Sequence, residues 1–159
     1  MEKAIFAAGC FWGVQYYFEK APGVEHTTVG YIGGHKENPV YEEVKSHTTG
    51  HAEAIEVAFD PGLTSFRELC VLFFEIHDPE QTDGQGPDKG PQYRSEIFYL
   101  NEEQRTVALE LMQELKAKGY TVHTRLTPAS TFWPAEDCHQ HYYGKTGHSP
   151  YCHFRVKKF

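Results

Sequence analysis

Ala4-Ile5-Phe6-Ala7-Ala8-Gly9-Cys10-Phe11-Trp12-Gly13-Val14-Gln15-Tyr16-Tyr17-Phe18 passes from one structural period to another across a glycine-flanked cysteine. The run Ala4 to Ala8 is short, apolar and bounded by a glycine, which suits a buried strand. Beyond it, Phe11, Val14, Tyr17, Phe18 and Ala21 recur at helical spacing, and Pro22-Gly23 closes the segment. Cys10 therefore falls at a strand end and a helix N-terminus, where unpaired N–H groups and the positive end of the helix dipole favour an anion. A thiol there is expected to ionise more readily than a free cysteine and to act as a nucleophile. An isolated cysteine is more often a buried, inert residue. Glycines on both sides weigh against that here, because they allow a sharp turn and the approach of another molecule.

Working outward, Val24 to Ile32 and Ala54-Ile55-Glu56-Val57-Ala58-Phe59 read as strands, the second ending at Asp60-Pro61-Gly62. A polar loop lies between them. Phe66, Leu69, Cys70, Leu72, Phe73 and Ile76 form the core face of a helix with Ser65 as N-cap, which makes Cys70 a packing residue. Residues 80–94 form a long loop rich in Gly, Pro and Gln, of the kind that is usually functional or disordered. A strand at Glu96 to Leu100 follows, then a helix from Glu102 to Lys118 with Asn101 and Gln104 as a capping box and Gly119 as its stop. Thr121 to Leu126 reads as the last strand, and Ala135 to Tyr143 as a short helix. This order predicts an α/β (α+β) two-layer sandwich with a mixed β-sheet, built on a ferredoxin-like βαββαβ core with a loop-rich C-terminal tail. Residues 1–159 are expected to form a single domain, with residues 127–159 as the tail.

The chain has 159 residues, 40% of them hydrophobic, and a formal charge of −7 with pI near 5.8. Nucleic acid and anionic membrane are excluded as partners on that charge, since Lys157-Lys158 is too short a basic run to reverse it. Ala7-Ala8-Gly9-Cys10 after Lys3 is similar to a lipoprotein cleavage site, but a signal needs about 7–15 apolar residues and Ala4 to Ala8 supplies only five. The reading is a cytoplasmic protein with no membrane span. Cys10, Cys70, Cys138 and Cys152 include no C-x-x-C pair, so the chain is not a disulfide scaffold. His51-Ala52-Glu53 matches half of a zinc-deaminase motif whose other half is absent. Cys138-His139-Gln140-His141 with Cys152-His153 fits no common zinc spacing, and no metal is expected.

Three polar clusters accompany Cys10: Asn38 to Val44, Thr49 to Glu53, and Asp88 to Arg94. Glu53 opens a strand and so sits near the sheet rim. Partly desolvated among aromatics, its carboxyl would have a raised pKa and serve as a general acid, although many strand-end glutamates are simply solvated. Tyr41 and Tyr93 are candidate phenolic donors to a developing oxyanion, against the commoner role of packing with the hydroxyl wet.

Gly9-Cys10-Phe11-Trp12-Gly13 resembles the active-site motif of the peptide methionine sulfoxide reductase A family, which acts on the S epimer. The resemblance continues through Val29 to Gly34, Asn38 to Val44, Thr49 to Ala54, Gln92 to Ser95 and Phe132 to Asp137. It implies Cys10 as nucleophile, Phe11 and Trp12 as the pocket for the S-methyl group, Tyr41, Glu53 and Tyr93 around the sulfoxide oxygen, and Asp88 as an orienting residue. It also implies Cys152 as the cysteine that resolves a Cys10 sulfenic acid, with Cys138 either a second recycling thiol or a substitution where the family often has tyrosine. Thioredoxin is the implied reductant and methionine sulfoxide in proteins and peptides the implied substrate, with no cofactor and a monomeric state. Pro87 stands where asparagine is usual, and the chain ends seven residues after Cys152, so recycling is where this sequence departs most from the pattern. Two other readings remain: a cysteine hydrolase using Cys10 with His51 as base, and a peptide-binding module anchored on Phe11 and Trp12.

Overall fold

A computed structural model describes residues 1–148, 150 and 153–159. The elements run β1 (Glu2–Ala8), α1 (Phe11–Phe18), β2 (Val24–Ile32), α2 (Tyr41–Lys45), β3 (Ala52–Phe59), α3 (Phe66–Glu75), β4 (Gly84–Gln85), β5 (Asp88–Lys89), β6 (Ser95–Tyr99), α4 (Glu102–Ala117), β7 (Arg125–Pro128), β8 (Trp133–Pro134) and α5 (Tyr142–Thr146). Single 3-10 turns occur at Pro91–Tyr93 and Asp137–His139. Six strands form one sheet in the order β7-β6-β1-β3-β2-β8, and β4 and β5 make a separate ribbon.

The four inner strands, β6-β1-β3-β2, pair antiparallel throughout, and β7 joins parallel to β6, which makes the sheet mixed. Their order is that of the expected split βαββαβ core. β1 is central, with Phe6 opposite Ile55 of β3 and Ile97 of β6. Its apolar run is continuous because both faces are covered. Ala4, Phe6 and Ala8 face the helices α1, α3 and α4, whereas Ile5 and Ala7 join Ile32, Ala52, Ala54 and Phe98 under Ala129 and Phe132. Phe6 stacks on Phe18, Phe66 and Phe73 at ring-centroid distances of 5.3, 5.7 and 5.1 Å. Truncating such a ring to alanine costs about 3–5 kcal/mol.

Both predicted helix caps form. The Ser65 hydroxyl accepts from the Glu68 N–H at 3.1 Å, and Asn101 Oδ1 accepts from the Gln104 N–H at 2.9 Å. The Gln104 side chain does not close the expected capping box: it accepts from the N–H of Leu100 instead of that of Asn101 and donates to the Lys3 carbonyl, stapling α4 to β1.

Three further expectations need correction. The last long strand is Arg125–Pro128 rather than Thr121 to Leu126, because Tyr120, Thr121 and His123 donate to Leu115, Glu80 and Pro79 instead of joining the sheet. The helix expected at Ala135 to Tyr143 is replaced by the Asp137–His139 turn and α5. Between them the Gln140 amide pairs with both the N–H and the carbonyl of Val29 at 2.9 Å, and His141 turns to φ 54. This side chain thus extends the sheet edge begun by β8, at the expense of helical continuity. Finally, residues 41–45 form a helical turn inside the segment read as loop.

The chain end is fastened. The Glu75 carboxylate accepts from Arg155 and from the Lys158 N–H at 2.8 Å, and His153 Nε2 donates to the Ala8 carbonyl at 2.6 Å. Among the described residues no helix is long and apolar enough to cross a membrane.

Candidate active site

Cys10 occupies the turn where β1 ends and α1 begins, and it is 7% exposed. Gly9 makes that turn at φ 92, and a Cβ on it would meet Gln85 Cβ at 2.6 Å, so the position demands glycine on both counts. At Gly13 a Cβ would overlap Nδ1 of the buried His153. The glycines flanking Cys10 thus accommodate a second layer of structure, supplied by the β4 strand and the chain end.

Glu53 is the second residue of β3, in phase with Ile55, Val57 and Phe59, which lie in the helix-side core. That phase turns its carboxyl toward α1, where Oε1 accepts from the Phe11 N–H at 3.2 Å. Only 2% of Glu53 is exposed. Burial first, then the Cys10 sulfur and Asp88, hold its carboxyl well above the ordinary carboxylate range, against the lowering effect of the Phe11 N–H. The expected raised pKa is thereby met, with burial as its main cause, and the solvated alternative is excluded.

Tyr41 opens α2, Tyr93 closes the Pro91–Tyr93 turn and Asp88 begins β5. Burial and the neighbouring Glu53 push the Tyr41 phenol up to about 12. The Tyr93 phenol is pushed upward too, by burial, Glu53 and Tyr41. Asp88 and Cys10 act on both phenols. All five candidates from separate stretches of the chain, Cys10, Tyr41, Glu53, Asp88 and Tyr93, therefore lie within electrostatic reach of one another. The raised phenol pKa values keep Tyr41 and Tyr93 protonated at neutral pH, and the upward shift of Glu53 favours its neutral acid form.

Phe11 and Trp12 form an aromatic wall beside this cluster. Phe11 is buried against Tyr31 at 5.7 Å, and Trp12 stacks on Tyr41 at 6.3 Å and on Tyr142 at 3.9 Å between ring centroids. His139 completes the wall. Its ring lies 4.4 Å from that of Tyr41, and its Nδ1 accepts from the Trp12 indole N–H at 3.2 Å. Burial lowers the His139 pKa, with Glu136 and Glu42 opposing, so the ring stays neutral and able to accept. Glu136 bridges the Tyr31 hydroxyl at 3.2 Å and the Tyr41 N–H at 3.3 Å.

His139, Tyr142, Glu136 and His153 are site residues that the sequence reading did not assign. His139 drew notice there only as a rejected metal ligand, and an aromatic-rich Trp133-to-Tyr143 segment was the one available hint. Cys138 is exposed, between Asp137 and His139 on the short turn. Cys152 lies outside the described residues. His51, the base of the hydrolase alternative, is committed to the backbone: Nδ1 accepts from the Gly34 N–H at 3.0 Å and Nε2 donates to the Lys36 carbonyl at 2.7 Å. Among the described residues no group of three or more His, Cys, Asp and Glu side chains is placed to hold a metal ion.

The arrangement brings together a cysteine thiol, an apolar aromatic wall, two phenols and a buried carboxyl. Residues 2–159 match the model of the peptide methionine sulfoxide reductase family. Similar curated proteins include the peptide methionine sulfoxide reductase MsrA of Nautilia profundicola, 48% identical over 98% of this chain and 90% of its own length. The MsrA of Methanosarcina acetivorans is 51% identical over 92% of this chain and 80% of its own. Among solved structures, reduced Mxr1 from Saccharomyces cerevisiae superimposes with TM-score 0.88 at 32% identity, covering 97% of this chain and 91% of that one. Methionine sulfoxide reductase A of Corynebacterium diphtheriae does so with TM-score 0.82 at 36% identity, covering 92% and 75%. Mxr1 in complex with Trx2 shares the fold at TM-score 0.64 and 22% identity, covering 97% and 88%.

Proposed function

The chain belongs to the peptide methionine sulfoxide reductase family, and on that premise we propose that it reduces the S epimer of methionine sulfoxide, peptide-bound or free, to methionine. The observation that carries this reading is the Glu53 carboxyl, buried beside Cys10 with its pKa shifted upward, close to the phenols of Tyr41 and Tyr93. A sulfoxide sulfur accepts a thiolate only as its oxygen gains a proton. Glu53 supplies that proton as the Cys10 sulfur attacks, and the phenols stabilise the oxygen by hydrogen bonding. Phe11 and Trp12 take the methyl group on the opposite side, and this polarity of the site distinguishes the two sulfur epimers. Asp88 orients substrate from the rim.

The sulfoxide oxygen passes to Cys10, so that thiol and sulfoxide become sulfenic acid and sulfide. The Cys152 thiol then attacks the sulfenic sulfur, forming a Cys10–Cys152 disulfide and releasing water. An external dithiol returns both cysteines to thiols and is itself oxidised to a disulfide. Mxr1, whose reduced form is similar to this chain, occurs in complex with Trx2, which supports a thioredoxin-type reductant here. In this reading residues 1–159 act as one monomeric, cofactor-free catalytic domain, with Cys152 in its tail, and repair oxidised proteins in the reducing cytoplasm. Cys138 stands aside from direct resolution.

The test is methionine formation from separated S and R epimers of a blocked methionine sulfoxide, with dithiothreitol as reductant and Cys10→Ser as control. Reduction of the S epimer alone, absent in Cys10→Ser, supports the reading, whereas no reduction of either epimer overturns it. Cys152→Ser is expected to yield one equivalent of methionine and then stall with thioredoxin. Full multiple turnover by that variant would sink the resolving role.

A further inference from the structure

Tyr93 and Glu53 reach the site from different segments, a 3-10 turn and the start of β3, and one side chain joins the two. Arg94 donates from Nη1 to the Pro91 carbonyl at 3.0 Å, from Nη2 to the Gly50 carbonyl at 3.1 Å and from Nε to Glu96 Oε1 at 2.7 Å. Pro91 opens the turn that Tyr93 closes, and Gly50 lies three residues before Glu53. Glu96 anchors the guanidinium from within the sheet: it is opposite Ala7 of β1 and Arg125 of β7, and its second oxygen accepts from the Thr127 hydroxyl. The side chains of Arg94 and Glu96 are 15% and 5% exposed. A planar fork holds three separated acceptors in fixed directions, whereas the three donors of lysine radiate from one rotatable nitrogen. His51, next to Gly50, extends the brace by gripping Gly34 and Lys36.

We propose that Arg94 is a positioning residue for sulfoxide reduction, setting the placement of the Tyr93 phenol relative to the Glu53 carboxyl by tying the 91–93 turn to the 49–51 segment. This rests on the reading given under Proposed function and adds to it a residue that acts through others. Displacing a reacting group by about 1 Å costs up to about 100-fold in rate. Loss of the fork therefore weakens the chemical step more than the binding of sulfoxide, whose methyl group contacts a different wall.

A double-mutant cycle tests the proposal, using single-turnover methionine formation from the S epimer by the full chain. Arg94→Ala is expected to lower the saturating rate by about 10- to 100-fold, with the half-saturating sulfoxide concentration changed less than about 3-fold. Tyr93→Phe is expected to slow the native protein markedly but to cost little in the Arg94→Ala background, because the phenol is already misplaced there. Arg94→Lys is not expected to restore the rate, and it replaces Arg94→Ala in the same cycle if the alanine variant does not fold. Losses that multiply to within about 2-fold, or a native rate in Arg94→Lys, would overturn the positioning role while leaving the sulfoxide reductase reading intact. Failure of the unsubstituted chain to form methionine would instead overturn that reading.

Discussion

The Phe11 N–H donates to Glu53 Oε1 at 3.2 Å, so the first helical residue after Cys10 holds the buried carboxyl beside it. The bond is a local brake on a larger effect. It favours the carboxylate, but burial and the Cys10 sulfur favour the neutral acid and prevail. The acid form of Glu53 beside the Cys10 sulfur is thereby favoured beyond the pH range of an ordinary carboxyl.

The pH dependence of the chemical step follows from this sign. In the proposed reaction Glu53 acts while protonated, and its raised pKa carries the acid form to higher pH than an ordinary carboxyl reaches. As pH rises through that pKa the rate of methionine formation falls. Glu53→Gln is expected to lose about 100-fold or more in the saturating rate and to lose this descending limb, with a small change in KM. A large rise in KM at unchanged kcat would contradict the acid role.

The same group makes a stability prediction. A carboxyl whose folded-state pKa is raised contributes stability fully below its unfolded pKa and loses it as pH rises through the folded value. Glu53→Gln keeps an acceptor for the Phe11 N–H without a charge to bury. The variant is therefore expected to melt higher than the native protein, by a margin that grows as pH rises from the ordinary carboxylate range toward the raised folded-state pKa. Thermal denaturation at several pH values measures it, and a margin that shrinks with pH would refute the account.

The indole wall depends on His139. With Nδ1 accepting from Trp12 and its ring 4.4 Å from Tyr41, its removal frees the indole and opens a gap beside the phenol. His139→Ala is expected to raise KM for the S sulfoxide several-fold, and His139→Asn, which retains an acceptor, to recover part of the loss. The two Michaelis constants check this directly.

Gly13 and His153 form a steric pair across the chain. Gly13→Ala drives a methyl group into the imidazole, with an expected cost of about 1–3 kcal/mol. Gly13→Ala combined with His153→Ala removes the clash, so the second change is expected to be less costly in that background than alone. Chemical denaturation of the four variants gives the coupling, and strict additivity would show that the ring yields without cost.

Much of the architecture was legible because it is written in local periods. β1 and α1 announce themselves by a change from a continuous apolar run to helical spacing, and Ser65 and Asn101 cap the helices that follow them. The β7 boundary and the 135–143 segment were misread because their hydrogen bonds go to distant partners: Thr121 to Glu80, and Gln140 to Val29. No local period encodes such bonds.

By itself the sequence determined the family, the order of the core strands and helices and the types of group available for chemistry, since short motifs and side-chain spacing suffice for these. Only the tertiary structure decided that Glu53 is buried enough for its pKa to rise, that His139 grips an indole 127 residues away, and that Arg94 joins two loops. Desolvation and hydrogen-bond geometry depend on what packs around a group, and that is set when segments far apart in the chain close over one sheet edge.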